Sequence, residues 1–263
     1  MDVPVKNPLR RRLRAKETAY GLWVTVESPT VTEIAVALGL DWVCIDMEHG
    51  PMGYREVVEH LRAVRGTETA AVVRVPELQW SAVKRALDLG AHGVIVPYVQ
   101  SREDVETAFR YGKYPPRGLR GVSGERCVKW GLGSQEYLAC ANEETLIIPL
   151  IEARAAVEDI DAILDVPGLE ALFFGPADMS ASYGHLGEWE GPGVAERILG
   201  VRAKAEARGI AAGIMSRSTA DALDRRDQGF RMVGLGTDMP LLIRTLTESL
   251  EKVGRKTEPR LWF

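Results

Sequence analysis

The chain has 263 residues, a hydrophobic content of 46% and a formal net charge of −4. That length suits one large domain with an ample core, and the acidic balance disfavours nucleic acid as a partner, which would call for a basic face. No apolar run reaches the roughly 18 residues of a membrane span, and the basic N-terminus lacks the apolar stretch of a secretory signal.

In chain order, residues 1–20 read as an N-terminal helix, with Arg10, Arg11, Arg12 and Arg14 as a solvated face rather than a nucleic-acid arm. A β-branched apolar run, Gly21–Val26, predicts a strand, and Thr30–Leu38 follows with helical period. Trp42–Met47 and Tyr54–Arg65 repeat the pattern, as do Thr69–Val75 with Leu78–Leu89 and Gly93–Val99 with Arg102–Tyr111. After a long Gly/Pro-rich connection, Lys113–Glu143, come Thr145–Ile151 and Ala155–Leu164. Ala171–Pro176 leads into a second long connection, Asp178–Gly193, and then Gly193–Ala207. Ile210–Met215 with Thr219–Arg226 and Arg231–Gly236 with Pro240–Val253 complete the series, residues 239–263 forming a C-terminal helix and tail.

The eight runs are nearly continuous rather than alternating, which suits parallel strands buried on both faces. Eight βα repeats select a closed (β/α)8 TIM barrel, an α/β fold, over an open doubly wound sheet, with residues 1–263 as one domain. The long connections are expected to be functional. Cys44, Cys127 and Cys140 have no CxxC spacing, which predicts reduced thiols and a cytoplasmic setting, with Cys44 merely small and buried in its strand.

A barrel of this kind places its active site at the C-terminal strand ends. There stand Glu27, then Asp46 through Gly50, Arg74, Pro97 with Gln100 beyond, Glu152, Gly175-Pro176-Ala177-Asp178, and Asp238. Carboxylates converging with one His and one Arg are costly to bury unless paired or metal-bound. Glu152 and Asp178 come from adjacent strands and could hold a hard ion such as Mg2+ or Mn2+. Zinc fits less well, because no His or Cys lies close by in sequence. The alternative is that both carboxylates pair with arginines such as Arg74 or Arg120. His49 is either a hydrogen-bonded structural residue or a proton carrier whose tautomer Asp46 fixes. Arg74 is either a salt-bridge partner or the holder of a carboxylate or enolate oxygen. The Gly/Pro turn at Gly175–Asp178 can point amides at a substrate carboxylate.

An ordered set of motifs adds a family to this reading. Gly21-Leu22-Trp23, the run from Ile45 to Pro51, Tyr114 to Val122, Ile151 to Arg154 and Phe174 to Ser180 resemble the HpcH/HpaI aldolase family over about residues 10–245. These are class II pyruvate aldolases, among them 4-hydroxy-2-oxoheptanedioate and 2-dehydro-3-deoxyglucarate aldolases. The resemblance implies a divalent metal (Mg2+ or Mn2+, with Co2+ admissible) at Glu152 and Asp178. It implies a 2-oxoacid, pyruvate or oxaloacetate, chelated there, with an aldehyde as the second partner. Gly175 and the amides of Ala177 and Asp178 would hold the carboxylate, Arg74 would stabilise the enolate oxygen, and His49, oriented by Asp46, would move protons. Trp23 would line the site, and Ser123 and Gln100 are further candidate substrate contacts. Asp88 matches a family position near the His, or else is a solvated helix charge. Members commonly form hexamers, trimers of dimers that exchange the C-terminal helix.

Two departures stand out. Leu150 occupies a position two before the metal-binding Glu where members usually carry Gln, and Glu125, Arg126 and Lys129 add charge to a loop expected beside the substrate channel. The implied reaction is cleavage or formation of 4-hydroxy-2-oxoacids through a metal-held pyruvate enolate, a carbon–carbon lyase activity. A Schiff-base route would need a strand-end lysine, and none directly follows any of the eight runs. A citrate-synthase-like reaction on oxaloacetate and an acyl-thioester is the alternative. A non-catalytic small-molecule-binding barrel is the third reading.

Overall fold

Short apolar strands bury both faces when helices cover the outside and facing strands fill the inside. The computed structural model of the chain, which describes residues 6–256, solves the problem in this way. After helix α1 (Pro8–Arg14), strands and helices alternate: β1 (Ala19–Val24), α2 (Thr30–Ala37), β2 (Trp42–Asp46), α3 (Tyr54–Ala63), β3 (Ala70–Arg74), α4 (Trp80–Asp88), β4 (Gly93–Val96) and α5 (Arg102–Gly112). A 3-10 turn (Arg126–Gly131) and α6 (Ser134–Glu144) precede β5 (Leu146–Ile151). Then come α7 (Arg154–Glu158), α8 (Ile160–Leu164), β6 (Ala171–Phe174), α9 (Pro176–Ser182), α10 (Val194–Ala207), β7 (Ala211–Met215), α11 (Thr219–Asp227), β8 (Met232–Thr237) and α12 (Asp238–Lys252). The eight strands pair in parallel, in sequence order, and β8 returns to β1 to close the barrel. Among the described residues no helix is long and apolar enough to cross a membrane.

Two apolar layers hold the barrel. Val43, Ile45, Val73, Val94, Ile151 and Phe174 point outward against the helices, while Trp23, Trp42, Val72, Ile95, Ile148 and Phe173 fill the interior. Trp23 and Trp42 both pack against Phe173, with ring centres 5.4 and 6.0 Å away. Gly21 makes room for this stack, since a Cβ there would lie 2.0 Å from the Trp42 ring. Leu9 and Leu13 of α1 join the interior cluster, and Asn7 ties the helix down by donating to the carbonyls of His92 and Glu144 at 2.7 and 2.8 Å. Arg10 is therefore not on a solvated face. It is buried, bridging Glu170 at 2.9 Å and Glu144 at 3.2 Å, while Arg11 and Arg14 stay exposed.

Boundaries move for local reasons. β4 stops at Val96 because Pro97 has no N–H to continue the ladder and Tyr98 turns into the left-handed region, φ 51°. β1 stops at Val24 because the next two amides, Thr25 and Val26, donate to Asp238 at 2.8 and 2.9 Å. With Thr25 Oγ1 at 2.7 Å, Asp238 clamps the seam between the first and last strands. The helix expected over Ala155–Leu164 breaks at Asp159, whose carboxylate accepts the Arg102 amide at 2.7 Å. Both long connections contain helix: α6, which buries Tyr137 and Ala141 one turn apart, and α9. Of the N- and C-terminal segments, residues 1–5 and 257–263 lie outside the described residues.

Candidate active site

The C-terminal mouth holds a cavity of about 430 Å3, lined by Trp23, Arg74, Leu150, Glu152 and Phe173 and by residues 174–178. Its far side is built by Trp189, Met215, Ser216, Arg217 and Leu235 and by Pro240, Leu241 and Arg244 of α12.

Glu152 directly follows β5 and is only 4% exposed. Its Oε1 accepts the Tyr98 N–H at 2.7 Å, a bond made available by the left-handed turn after Pro97. Gly175 leaves room for the carboxylate, because a Cβ there would fall 2.6 Å from Glu152 Oε2. Burial pushes the Glu152 carboxyl up to about 7, repulsion from Asp178 and Glu48 adds to the rise, and the Tyr98 amide opposes it. Asp178 lies in the first turn of α9 and is exposed to the cavity. Neither carboxylate pairs with an arginine among the described residues. Arg74 is committed to Asp46 and Glu48, and Arg120 to Asp88 at 2.9 Å.

Asp46 and Arg74 are register partners on β2 and β3. Arg74 Nε donates to Asp46 Oδ1 at 2.8 Å, Nη2 to Oδ2, and Nη1 lies 2.7 Å from Glu48 Oε2. The guanidinium sits 5.0 Å from the Trp23 ring centre, and Trp23 Nε1 donates to Asp46 at 3.1 Å. Burial opposes ionisation of Asp46, but Arg74, the Glu48 amide and Trp23 outweigh it and hold the carboxyl below its usual value. Burial raises Glu48, with Arg74 and His49 pulling the other way.

The expected ring contact between Asp46 and His49 is not made. Asp46 takes the backbone amides of Glu48 and His49 at 2.9 and 3.3 Å, and the exposed imidazole lies outside the cavity. A guanidinium directly across the register competes better for a buried carboxylate than an imidazole three residues onward. Three other candidates also lie away from the cavity in the single chain. Asp88 is buried against Arg120 and is not a solvated charge. Ser123 sits beside Cys127, and the Gln100 backbone N–H, just before the α5 N-cap Ser101, donates to Asp104 at 2.8 Å. The charged loop is elsewhere too: Arg126 and Lys129 line a separate groove with Arg65 and His92.

Trp23, Gly175 and Ala177 do line the cavity. A helix's first turn leaves amides without intrahelical acceptors, and in α9 these belong to Ala177 and Asp178, since Pro176 has none. Sequence reasoning missed Glu48 as an ion-pair partner, the Tyr98 amide, and the Ser216-Arg217 pair. The last of these directly follows β7 and was available to the strand-end rule. Among the described residues no three His, Cys, Asp or Glu side chains cluster for a metal, so Glu152 and Asp178 stand as a two-carboxylate set.

Comparison with known proteins agrees with this geometry. Residues 19–245 match the family model described as HpcH/HpaI aldolase/citrate lyase. The hydroxypyruvate/pyruvate aldolase of Paraburkholderia phytofirmans is 35% identical over 254 residues, covering 94% of this chain and 97% of that protein. The 5-keto-4-deoxy-D-glucarate aldolase of Escherichia coli O6:H1 is 34% identical, covering 95% and 97%. Among solved structures, an HpcH/HpaI aldolase/citrate lyase family protein from Burkholderia cenocepacia superposes with TM-score 0.89 at 37% identity, covering 94% and 99%. The citrate synthase SbnG superposes with TM-score 0.84 at 29% identity, covering 93% and 96%.

Proposed function

The chain belongs to the HpcH/HpaI aldolase/citrate lyase family and is a carbon–carbon lyase, and from that premise we propose that it is a class II aldolase acting on 4-hydroxy-2-oxoacids. The observation that carries this reading is Glu152. It is a buried carboxylate that forms no ion pair among the described residues, raised to about 7 and facing a second carboxylate. Burying such a group unpaired is costly, and a bound cation removes the cost. Two carboxylates with open positions suit Mg2+ or Mn2+, which retain waters or take substrate oxygens. When bound, the ion supplies Lewis-acid polarisation of the 2-oxo group, worth several kcal/mol of charge stabilisation.

The chain's own groups do the rest. Ala177 and Asp178 present amides to the substrate carboxylate. Arg74 has five N–H groups, of which two donate to Asp46 while Glu48 contacts Nη1 as an ion pair, leaving others for an enolate oxygen that develops as C3–C4 breaks. Trp23 and Phe173 form a water-excluding floor. We assign transfer of the C4 hydroxyl proton to His49, as the family resemblance implies; its exposed imidazole lies outside the single chain's cavity, on a loop that two amide bonds to Asp46 pin to the same barrel face.

Exchange of α12 between subunits of a hexamer fits the apolar face this helix leaves exposed, on which Leu242, Ile243 and Leu246 are each more than half accessible. Three unpaired thiols fit a cytoplasmic setting. A second reading, bond formation between oxaloacetate and an acyl-thioester, is favoured by the likeness to SbnG. The deciding assay is pyruvate release from a panel of 4-hydroxy-2-oxoacids with added Mg2+ or Mn2+. Release abolished by chelator supports the aldolase. Consumption of oxaloacetate with an acyl-thioester, without pyruvate release, supports the second reading instead.

A further inference from the structure

The far side of the cavity carries two arginines without counter-ions among the described residues. Arg217 stands two residues after β7 and Arg244 in the second turn of α12, and both line the same cavity as Glu152. Arg244 Nη1 donates to the Arg217 carbonyl at 3.1 Å, which tethers one arginine to the other's backbone. The Arg217 guanidinium lies 5.9 Å from the Trp189 ring centre, and the indole Nε1–H of Trp189 is buried with no acceptor among the described residues. The carboxylates flanking this wall are engaged elsewhere: Glu190 and Asp221 pair with Arg225 at 2.8 and 2.9 Å. Asp221 also accepts the Arg217 backbone amide, and among the described residues neither Arg217 nor Arg244 forms an ion pair.

Two guanidinium groups without a counter-charge on one cavity wall form an anion site, since Arg presents a planar fork to carboxylate and phosphate oxygens. The pyruvate half already has Arg74 and the α9 amides, so a second anion belongs to the other half of the substrate. We propose that Arg217 and Arg244 hold a carboxylate or phosphate on the aldehyde half, making them the specificity-determining residues of this lyase. The proposal rests on the aldolase reading above. In the addition direction, C3 of pyruvate loses a proton and bonds to the aldehyde carbon, and the aldehyde oxygen takes a proton. No further reactant is required.

The test uses Mn2+-loaded enzyme with pyruvate and three aldehydes: succinic semialdehyde, glyceraldehyde 3-phosphate and butanal. One anionic aldehyde should exceed butanal in kcat/KM by at least about tenfold, in keeping with a charge-assisted contact. In the double variant Arg217→Gln/Arg244→Gln that ratio should collapse to near unity, chiefly through KM, while Arg217→Lys should keep part of it. The anion whose kcat/KM falls more in the double variant is the group held. An unchanged ratio in the double variant, or butanal matching both anions in the wild type, overturns the subsite. Exchange of pyruvate C3 protons with D2O, followed by NMR without aldehyde, separates the two levels. Exchange without anion selectivity removes the subsite alone, and absence of both exchange and product removes the aldolase reading and the subsite with it.

Discussion

Replacing Glu152 by Gln should stabilise the metal-free protein while abolishing metal binding. The carboxyl is raised from its ordinary value near 4.5 to about 7, chiefly by burial. Between those values the folded state holds a proton that the unfolded chain has released. Stability therefore falls as pH rises across this window and levels off above about 7. A rise of about 2.5 units corresponds to about 3 kcal/mol at pH 8. Gln keeps an oxygen for the Tyr98 amide but carries an NH2 group that must find an acceptor, so a net gain of about 1–3 kcal/mol is expected. For a chain of this size that is roughly 3–10 °C in Tm. The assay is thermal unfolding in chelator from pH 5 to 8, paired with Mn2+ titration calorimetry. The Tm difference between variant and wild type should grow with pH. In the wild type, metal affinity should increase through pH 7 as the carboxyl gives up its proton. Parallel Tm curves for the two proteins, or retained Mn2+ affinity in the variant, would refute the reasoning.

Arg74→Lys removes the fork that meets Asp46 in two places, and kcat for pyruvate release should fall by about 10²-fold or more, as for loss of one oxyanion donor; steady-state kinetics showing less than about a threefold loss would count against the role. His49→Asn should lower kcat by about 10² to 10⁴-fold while Mn2+ affinity, read by calorimetry, stays at the wild-type value. Ile243→Glu with Leu246→Glu places charge on the exposed face of α12, and light scattering should then report a smaller particle than the wild-type assembly.

Most of the barrel was legible because its signal is local. Continuous apolar runs such as Thr69–Val75 and Thr145–Ile151 became β3 and β5 within a residue or two. The errors fell where distant groups decide a local outcome. Arg10 looks like surface in a basic tetrad, yet Glu144 and Glu170 come from remote parts of the chain to bury it. The C-terminal end of β1 is set by Asp238, more than two hundred residues away. Helix α6 was hidden in a Gly/Pro-rich stretch because only two of its positions, Tyr137 and Ala141, face the core.

The site divides along the same line. Glu152, Arg74 and the Gly175–Asp178 turn could be found one strand end at a time, because the barrel delivers every strand's C-terminus to one mouth. Which of those groups pair with each other is a matter of register, and register is not written in spacing. Asp46 and His49 are three residues apart, which suggested a dyad, but the β2–β3 ladder sets Asp46 opposite Arg74. Once the guanidinium takes both carboxylate oxygens, Asp46 has only backbone contacts left to offer the His49 loop. The same ladder thereby decides which carboxylate of the mouth holds the arginine. Beside β2 and β3, Asp46 and Glu48 share the single Arg74 guanidinium, whereas past β5 and β6 neither Glu152 nor Asp178 forms an ion pair with an arginine among the described residues. On the metal reading proposed above, a cation would go to the pair that Arg74 leaves unpaired, and the register of two neighbouring strands would set where in the mouth it sits.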